Sequence, residues 1–191
     1  VLANDAHYAK IQTEVRLKVK NKEPEPLSVT MDGFIYGDSA GIPIYTAPEG
    51  TLKTSLTFAE KDGADLTEAP TQAGDYTVTV VCETKDKIYS GSADYTIIPK
   101  PIGDVDLRLD EDIFTYNGGE QKPNITVKMN GTDMTENTDY TVTYPTDMTS
   151  VGTKEIKLKG IGNFSGEKTV SFQINKATVK VKPKNIRRVP E

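Results

Sequence analysis

The chain repeats itself, and the interval of the repeat constrains its fold more than any single motif does. HYAKIQTEVRLKV from His7, IYSGSADYTII from Ile88 and NFSGEKTVSFQI from Asn163 each place an aromatic residue before a small or glycine-containing turn and an alternating strand. Tyr8 to Tyr89 is 81 residues and Tyr89 to Phe164 is 75, close to the length of a minimal β-sandwich. The front parts agree too, with Tyr36-Gly37 answering Tyr116-Asn117-Gly118 and Gly74 answering Gly152. Gly74 to Gly91 spans 17 residues and Gly152 to Gly166 spans 14, so one connection differs in length. Asp62-Gly63 and Asn130-Gly131 stand at different distances from these anchors and are not counterparts.

Local patterns fill this frame with strands. Val15, Leu17 and Val19 alternate with Arg16, Lys18 and Lys20, the period-two mark of a half-exposed strand. Tyr76, Val78 and Val80 alternate with small polar residues and predict a central strand. Leu56 with Phe58, Ile156 with Leu158, and Val170 with Phe172 and Ile174 predict inward faces. Lys61-Asp62-Gly63 and Asn130-Gly131 predict tight turns, because glycine tolerates the positive φ that hairpins demand. Pro24/Pro26 and Pro99/Pro101 remove backbone donors at regular spacing and predict stiff connections.

Together these give residues 1–26 as the closing strand of a preceding repeat plus a proline linker. Residues 27–99 and 101–176 are two complete units, and 177–191 is the opening strand of a following repeat. Units of this size bury only about 60% of their unfolded surface. With 36% hydrophobic residues their cores are thin, so neighbours in series are expected to support one another.

Composition removes several function classes. The 23 basic and 28 acidic residues leave a net charge of −5, with no basic block, which argues against nucleic acid as a partner. Cys82 stands alone, so neither an internal disulfide nor a cysteine zinc site can form; a structural thiol is expected. No apolar run reaches the roughly 18 residues of a membrane helix, no leader peptide is evident, and no membrane insertion is expected. His7 is the sole histidine and lacks partners for base or metal chemistry, so an exposed turn residue is expected and no enzyme.

Asp104, Asp106, Asp110, Glu111 and Asp112 form the densest acidic cluster. It reads either as oxygen ligands for calcium at a joint or as a solvated strand edge, since Asp104 and Asp106 alternate with Val105 and Leu107. Asn124, Asn130 and Asn163 match the glycosylation acceptor pattern. Tyr45, Tyr89 and Tyr144 could form a stacking face for sugars, or belong to the core. GIGNFSG has the glycines of a phosphate loop without its Lys-Ser/Thr ending or its strand-to-helix context, and reads as the connection between the last two strands of a sandwich.

The runs DGFIYGD, EAPTQAGDYTV, IYSG and YTII, and in the second unit YNGGEQKPNITV, DYTVTY, VGTKEIKLKGIGNFSG and VSFQI, resemble the MBG-type bacterial immunoglobulin-like repeats of Gram-positive (Firmicutes) surface proteins. The resemblance covers nearly the whole chain. It implies an all-β fold of tandem small Ig-like β-sandwich domains in an extended array, secreted or at the cell surface or cell wall, and supplies no catalytic residue, metal or cofactor. The expected function is structural spacing and presentation, with neighbouring domains of the same polypeptide as partners. The alternative is an adhesin or carbohydrate-binding module that contacts host or dietary glycans or a host surface protein. Some pilus and adhesin domains of this kind carry a Lys–Asn isopeptide crosslink beside a buried acid. No lysine here stands in a clean first-strand core position.

Overall fold

The computed structural model describes residues 23–179, which form a nearly all-β structure of sandwich type with a single 3-10 turn, Ile102–Asp104. The strand predicted over Val15 to Val19, His7, and residues 180–191 lie outside the described residues.

The first half contains β1 (Glu25–Pro26), β2 (Val29–Thr30), β3 (Phe34–Ile35), β4 (Ile44–Tyr45), β5 (Thr51–Glu60), β6 (Asp65–Leu66), β7 (Gly74–Thr84) and β8 (Ile88–Ile98). Its main sheet runs β1-β8-β7-β5-β6, with β3 also on β8, so β7 is central as predicted. Strand side chains alternate between faces, which puts Tyr76, Val78, Val80 and Cys82 together on the buried face. On the opposite face Thr77 and Thr79 bond across to Asp94 and Ser92 of β8. Met31, Phe34, Tyr36 and Phe58 close one end of this core, and Val29 of β2 and Tyr45 of β4 close the other. Leu56 departs from expectation. It shares a face with Phe58, but the Gly/Pro-interrupted stretch before β5 forms only the two-residue β4 and leaves Leu56 44% exposed.

The second half contains β9 (Lys100–Pro101), β10 (Asp106–Leu109), β11 (Ile113–Thr115), β12 (Ile125–Met129), β13 (Thr132–Asp133), β14 (Tyr140–Thr143), β15 (Gly152–Gly160), β16 (Phe164–Ser165) and β17 (Glu167–Asn175). Two sheets, β10-β12-β13 and β11-β17-β15-β14, enclose one core. Leu158, Tyr140, Val127 and Ile102 meet at one end, Ile156, Phe172, Ile174 and Phe114 at the other, and Ile125 packs against both groups. Full burial of such side chains contributes about 1.5–3 kcal/mol each. Asn130 (φ 50°) and Gly131 (φ 82°) both take positive φ, the backbone of the hairpin turn that their sequence predicts between β12 and β13.

The halves share a framework. Gly74 pairs opposite Ile97 in the β7–β8 hairpin, and Gly152 opposite Ile174 in β15–β17. A short strand then lies parallel to the closing strand in each. The amide of Tyr36 donates to the Ile98 carbonyl, and that of Tyr116 to the Asn175 carbonyl, both at 2.8 Å. The proline-marked segments do more than connect. β1 pairs parallel with Tyr89–Ser90, and β9 pairs parallel with Phe164–Ser165. Proline lacks an N–H but keeps its carbonyl, so it is tolerated in short edge strands of this kind.

Candidate functional site

The two halves meet at the connection between β15 and β17, residues 160–166. Gly162 (φ 61°) and Gly166 (φ 82°) turn the chain through the left-handed region that glycine enters without strain. At Gly160 a Cβ would come within 2.7 Å of the Ser165 amide nitrogen, so only glycine lets the connection fold over its own strand. The Ile161 amide donates to the Asp139 carbonyl (3.0 Å) and the Phe164 amide to the Ile161 carbonyl (3.1 Å), which fixes the loop so that Asn163 and Phe164 face the first half.

Asn163 is the fastening. Its Oδ1 accepts from the Ala73 amide at 2.8 Å, its Nδ2 donates to Gln72 Oε1 at 2.5 Å, and its carbonyl accepts from the Lys100 amide at 2.9 Å. The Phe164 ring meets Tyr36 edge-to-face, with centroids 5.6 Å apart and planes at 77°, the geometry favoured by opposed ring quadrupoles. Ser165 Oγ donates to the Pro99 carbonyl (3.2 Å), and the Lys100 ammonium lies 3.2 Å from Asp38. The receiving loop is itself held from below, because Tyr76 Oη donates to the Gln72 carbonyl at 3.0 Å. Burial pushes the Tyr76 phenol above its ordinary range, with Glu60 adding to the effect, and burial pushes Tyr95 beside it up to about 12. Two shallow clefts of about 440 and 300 Å³ flank Tyr76, one bordered by Lys61 and Asp75, the other by Leu66 and Pro70.

Elsewhere the acidic cluster is spread along the chain, with Asp106 in β10 and Asp110, Glu111 and Asp112 in the connection to β11. Asp106 is held by Arg108 through contacts of 3.0 and 2.9 Å, and Asp110 by the side chain and amide of Asn124. These hydrogen bonds hold both carboxyls below the usual range. Asp104 sits in the 3-10 turn, Glu111 is exposed, and Asp112 accepts from the Gln173 amide through its carbonyl. Among the described residues no three metal-ligating side chains converge.

The tyrosines do not form one face. Tyr45 and Tyr89 line a cleft of about 420 Å³ with Pro26 and Pro48, while Tyr144 lies in the other half beneath the Lys122 ammonium, 4.2 Å from its ring centroid. Cys82 is fully buried, 3.7 Å from the Thr54 hydroxyl, the environment of a structural thiol. Lys154, only 10% exposed, contacts Asp147 at 2.8 Å. Asp147 also accepts from the amides of Thr149 and Ser150 and from the Ser150 hydroxyl. Lys154 first and then these bonds hold its carboxyl far below the usual range.

Asn163 and Gln72 are 91 residues apart, and nothing in either neighbourhood marks the contact. The available signal was a shared interval. Pro26 to Pro101 is 75 residues, as is Tyr89 to Phe164, which places each proline segment beside its own aromatic-serine pair.

No family model matches the chain, and no curated protein matches it. Solved structures with some likeness include an I-band fragment from titin (13% identity, TM-score 0.27, covering 78% of this chain and 64% of that one) and the protocadherin GammaB4 extracellular domain (12%, 0.27, 81% and 32%). A titin Ig tandem aligns at 7% identity with a TM-score of 0.26, covering 79% of this chain and 95% of that one. This chain therefore spans less than two thirds of the first two.

Proposed function

We propose that the chain is a non-catalytic spacer and presentation segment of a secreted or cell-surface bacterial protein, built from two Ig-like units of MBG type, residues 27–99 and 101–176, in series. The joint carries this reading. Asn163, Phe164 and Ser165 fasten the second half to the loop, the ring and the proline segment at one end of the first, which supports a fixed angle between units rather than a swivel. The mechanism is geometric. β7 and β8, eleven residues each, extend about 36 Å at ~3.3 Å per residue, and units joined in series project whatever follows them.

The reading assigns no catalytic group, metal or cofactor, and names neighbouring domains of the same polypeptide as partners. Nucleic acid and membrane insertion have no part in it; among the described residues no helix is long and apolar enough to cross a membrane. Small-angle scattering tests it: an elongated particle is expected, and a folded-back pair would contradict it.

The cleft of Tyr45 and Tyr89 favours a second reading, a glycan-contacting module, because it places two rings beside the exposed Ile44. A glycan array separates the two, with binding that Tyr89→Ala abolishes as the result that supports sugar recognition.

A further inference from the structure

We infer that Asn117 is a site of spontaneous backbone modification, in which the Gly118 amide nitrogen attacks the asparagine side chain and the resulting cyclic imide opens to isoaspartate and aspartate, with water as the only co-reactant. Ring closure meets least obstruction where the attacking nitrogen belongs to a residue without a side chain. The chain has two such pairs, Asn117-Gly118 and Asn130-Gly131, and both asparagines are exposed. Sequence gives no reason to separate them, but the structure prepares the first and restrains the second. The inference goes beyond the spacer reading and does not depend on it.

At Asn117 the reacting groups are already held together. The Gly119 amide donates to Asn117 Oδ1 at 2.8 Å, closing a ring of atoms that contains both the Asn117 Cγ and the Gly118 nitrogen. That donor sits where negative charge collects when the nitrogen adds to the carbonyl, so it stabilises the tetrahedral intermediate more than the starting amide. The Gly118 N–H makes no hydrogen bond among the described residues. A Cβ at Gly118 would meet nothing within 4 Å, so water reaches both the proton that leaves and the carbon that is attacked. The loop is anchored on either side, by the Tyr116 amide on the Asn175 carbonyl at 2.8 Å and the Gln121 amide on the Met148 carbonyl at 2.9 Å. Asn117 and Gly118 lie between these anchors and outside every strand, so the rotation that ring closure needs breaks no strand pairing.

Asn130 is in the opposite situation. It and Gly131 are the whole of a hairpin turn, at φ 50° and 82°, and the flanking pairs Met129–Thr132 and Lys128–Asp133 close directly on it. The Lys128–Asp133 ion pair at 2.9 Å and the Met134 amide on the Val127 carbonyl at 2.9 Å brace the same hairpin. Ring closure would have to rotate the backbone between Asn130 and Gly131 away from the value that a two-residue turn fixes, and so open the turn. Among the described residues no donor is bonded to the Asn130 side-chain carbonyl.

The reaction balances without any oxidant or cofactor. Hydroxide takes the Gly118 amide proton, the nitrogen bonds to Asn117 Cγ, and the electron pair of the carbonyl moves to Oδ1 under the Gly119 N–H. The pair returns as the bond to Nδ2 breaks, and Nδ2 leaves with a proton from water as ammonia. Water then cleaves one of the two bonds from the imide nitrogen to carbon. Cleavage at Cγ restores the backbone as aspartate, and cleavage at the main-chain carbonyl leaves isoaspartate, with the chain running through the former side chain. Either product adds one negative charge to the net −5 of the chain. Both anchors of the loop lie outside the altered bonds, so the product is accommodated without losing either.

The test incubates the 191-residue chain at mildly alkaline pH, folded and in denaturant, and follows both sites by peptide mapping with fragmentation that separates isoaspartate from aspartate. In the folded chain Asn117 is expected to convert about tenfold faster than Asn130, a ratio equivalent to about 1.4 kcal/mol of activation free energy. In denaturant the two rates are expected to converge. Gly119→Pro removes the donor on Oδ1 and is expected to slow Asn117 several-fold in the folded chain. Gly119→Ala keeps that N–H, places its Cβ in ordinary contact with Oδ1 at 3.4 Å, and is expected to convert at the parental rate. The parent comparison needs no substitution, so it decides the matter even where the proline variant fails to fold. Conversion of Asn130 at least as fast as Asn117 in the folded chain, no conversion at either site, or equal rates in the proline and alanine variants would overturn the inference.

Discussion

The two halves use one strand framework and close it differently. In the second half a three-stranded and a four-stranded sheet face each other across a continuous core. In the first half nearly all regular pairing lies in a single six-stranded sheet, covered by the two-residue strands β2 and β4 and by irregular chain. The consequence shows at the surface, where Ile42, Ile44, Leu52 and Leu56 are exposed in the first half. Repetition of sequence has preserved the hairpin and the parallel strand beside it, while cover for the sheet varies between units. The half with the poorer cover is also the one that receives Phe164 and Asn163, so the joint is expected to contribute to its stability.

The largest expected contrast is between core truncations. Phe172→Ala removes a ring 2% exposed between the sheets and should cost about 3–5 kcal/mol. Leu56→Ala, at a half-open site, should cost no more than about 1 kcal/mol. Denaturant titration of each variant measures both, and comparable losses would show that the first half is better closed than described.

Glycine substitutions give the next contrast. A Cβ at Gly91 would lie 1.9 Å from the Leu27 carbonyl oxygen, so Gly91→Ala must displace the chain between β1 and β2 and is expected to cost about 1–3 kcal/mol or more. Gly166→Ala meets open space and strains only its φ of 82°, at a cost of about 1 kcal/mol. Thermal melts of the two variants should rank in that order.

Smaller again are changes at the joint. Phe164→Ala loses a ring pair worth about 0.5–1.5 kcal/mol beyond its area, and the loss should appear in amide exchange of the first half, at Tyr36 and Ala73, more than in β15 or β17. Uniform loosening of the second half alone would contradict the assignment of that ring to the joint.

The pH responses should differ as well. The Asp147 carboxyl is depressed, so the stability it contributes is present above the ordinary carboxylate range and disappears as pH falls through its lowered value. Asp147→Asn should flatten the acid limb of the second half's stability curve. Tyr95 is raised from 10.0 to about 12, so its contribution is intact below 10 and is lost as pH rises through 12. Absorbance titration of the phenolates should therefore show a class, Tyr95 with Tyr76, ionising together with unfolding of the first half, and Tyr95→Phe should shrink that class and move its transition to lower pH.

Much of this architecture was legible from the chain. Alternation placed Val78, Val80, Ile156, Leu158, Phe172 and Ile174 in cores, because period-two patterning and burial have one cause on a pleated strand. Asn130-Gly131 gave its hairpin because few other pairs tolerate two positive φ values in succession. Leu56 was misplaced because alternation specifies a face and not whether another layer covers it. The prolines read as connections since missing donors suggest an unpaired backbone, yet a single carbonyl suffices for a two-residue parallel pair. Asn163 resembled one more glycosylation match. Its role depends on a contact across 90 residues with a backbone amide, and Ala73 carries no side-chain signal that could announce it.

The most direct test of a fixed joint is a distance distribution between spin labels at Thr57→Cys and Lys157→Cys, two exposed positions in opposite halves, with the buried Cys82 left in place. A single narrow distribution is expected, broadening when Asn163→Ala and Phe164→Ala are added. A broad distribution in the parent chain, or an unchanged narrow one after both substitutions, would contradict the claim that these two residues hold the halves at one angle.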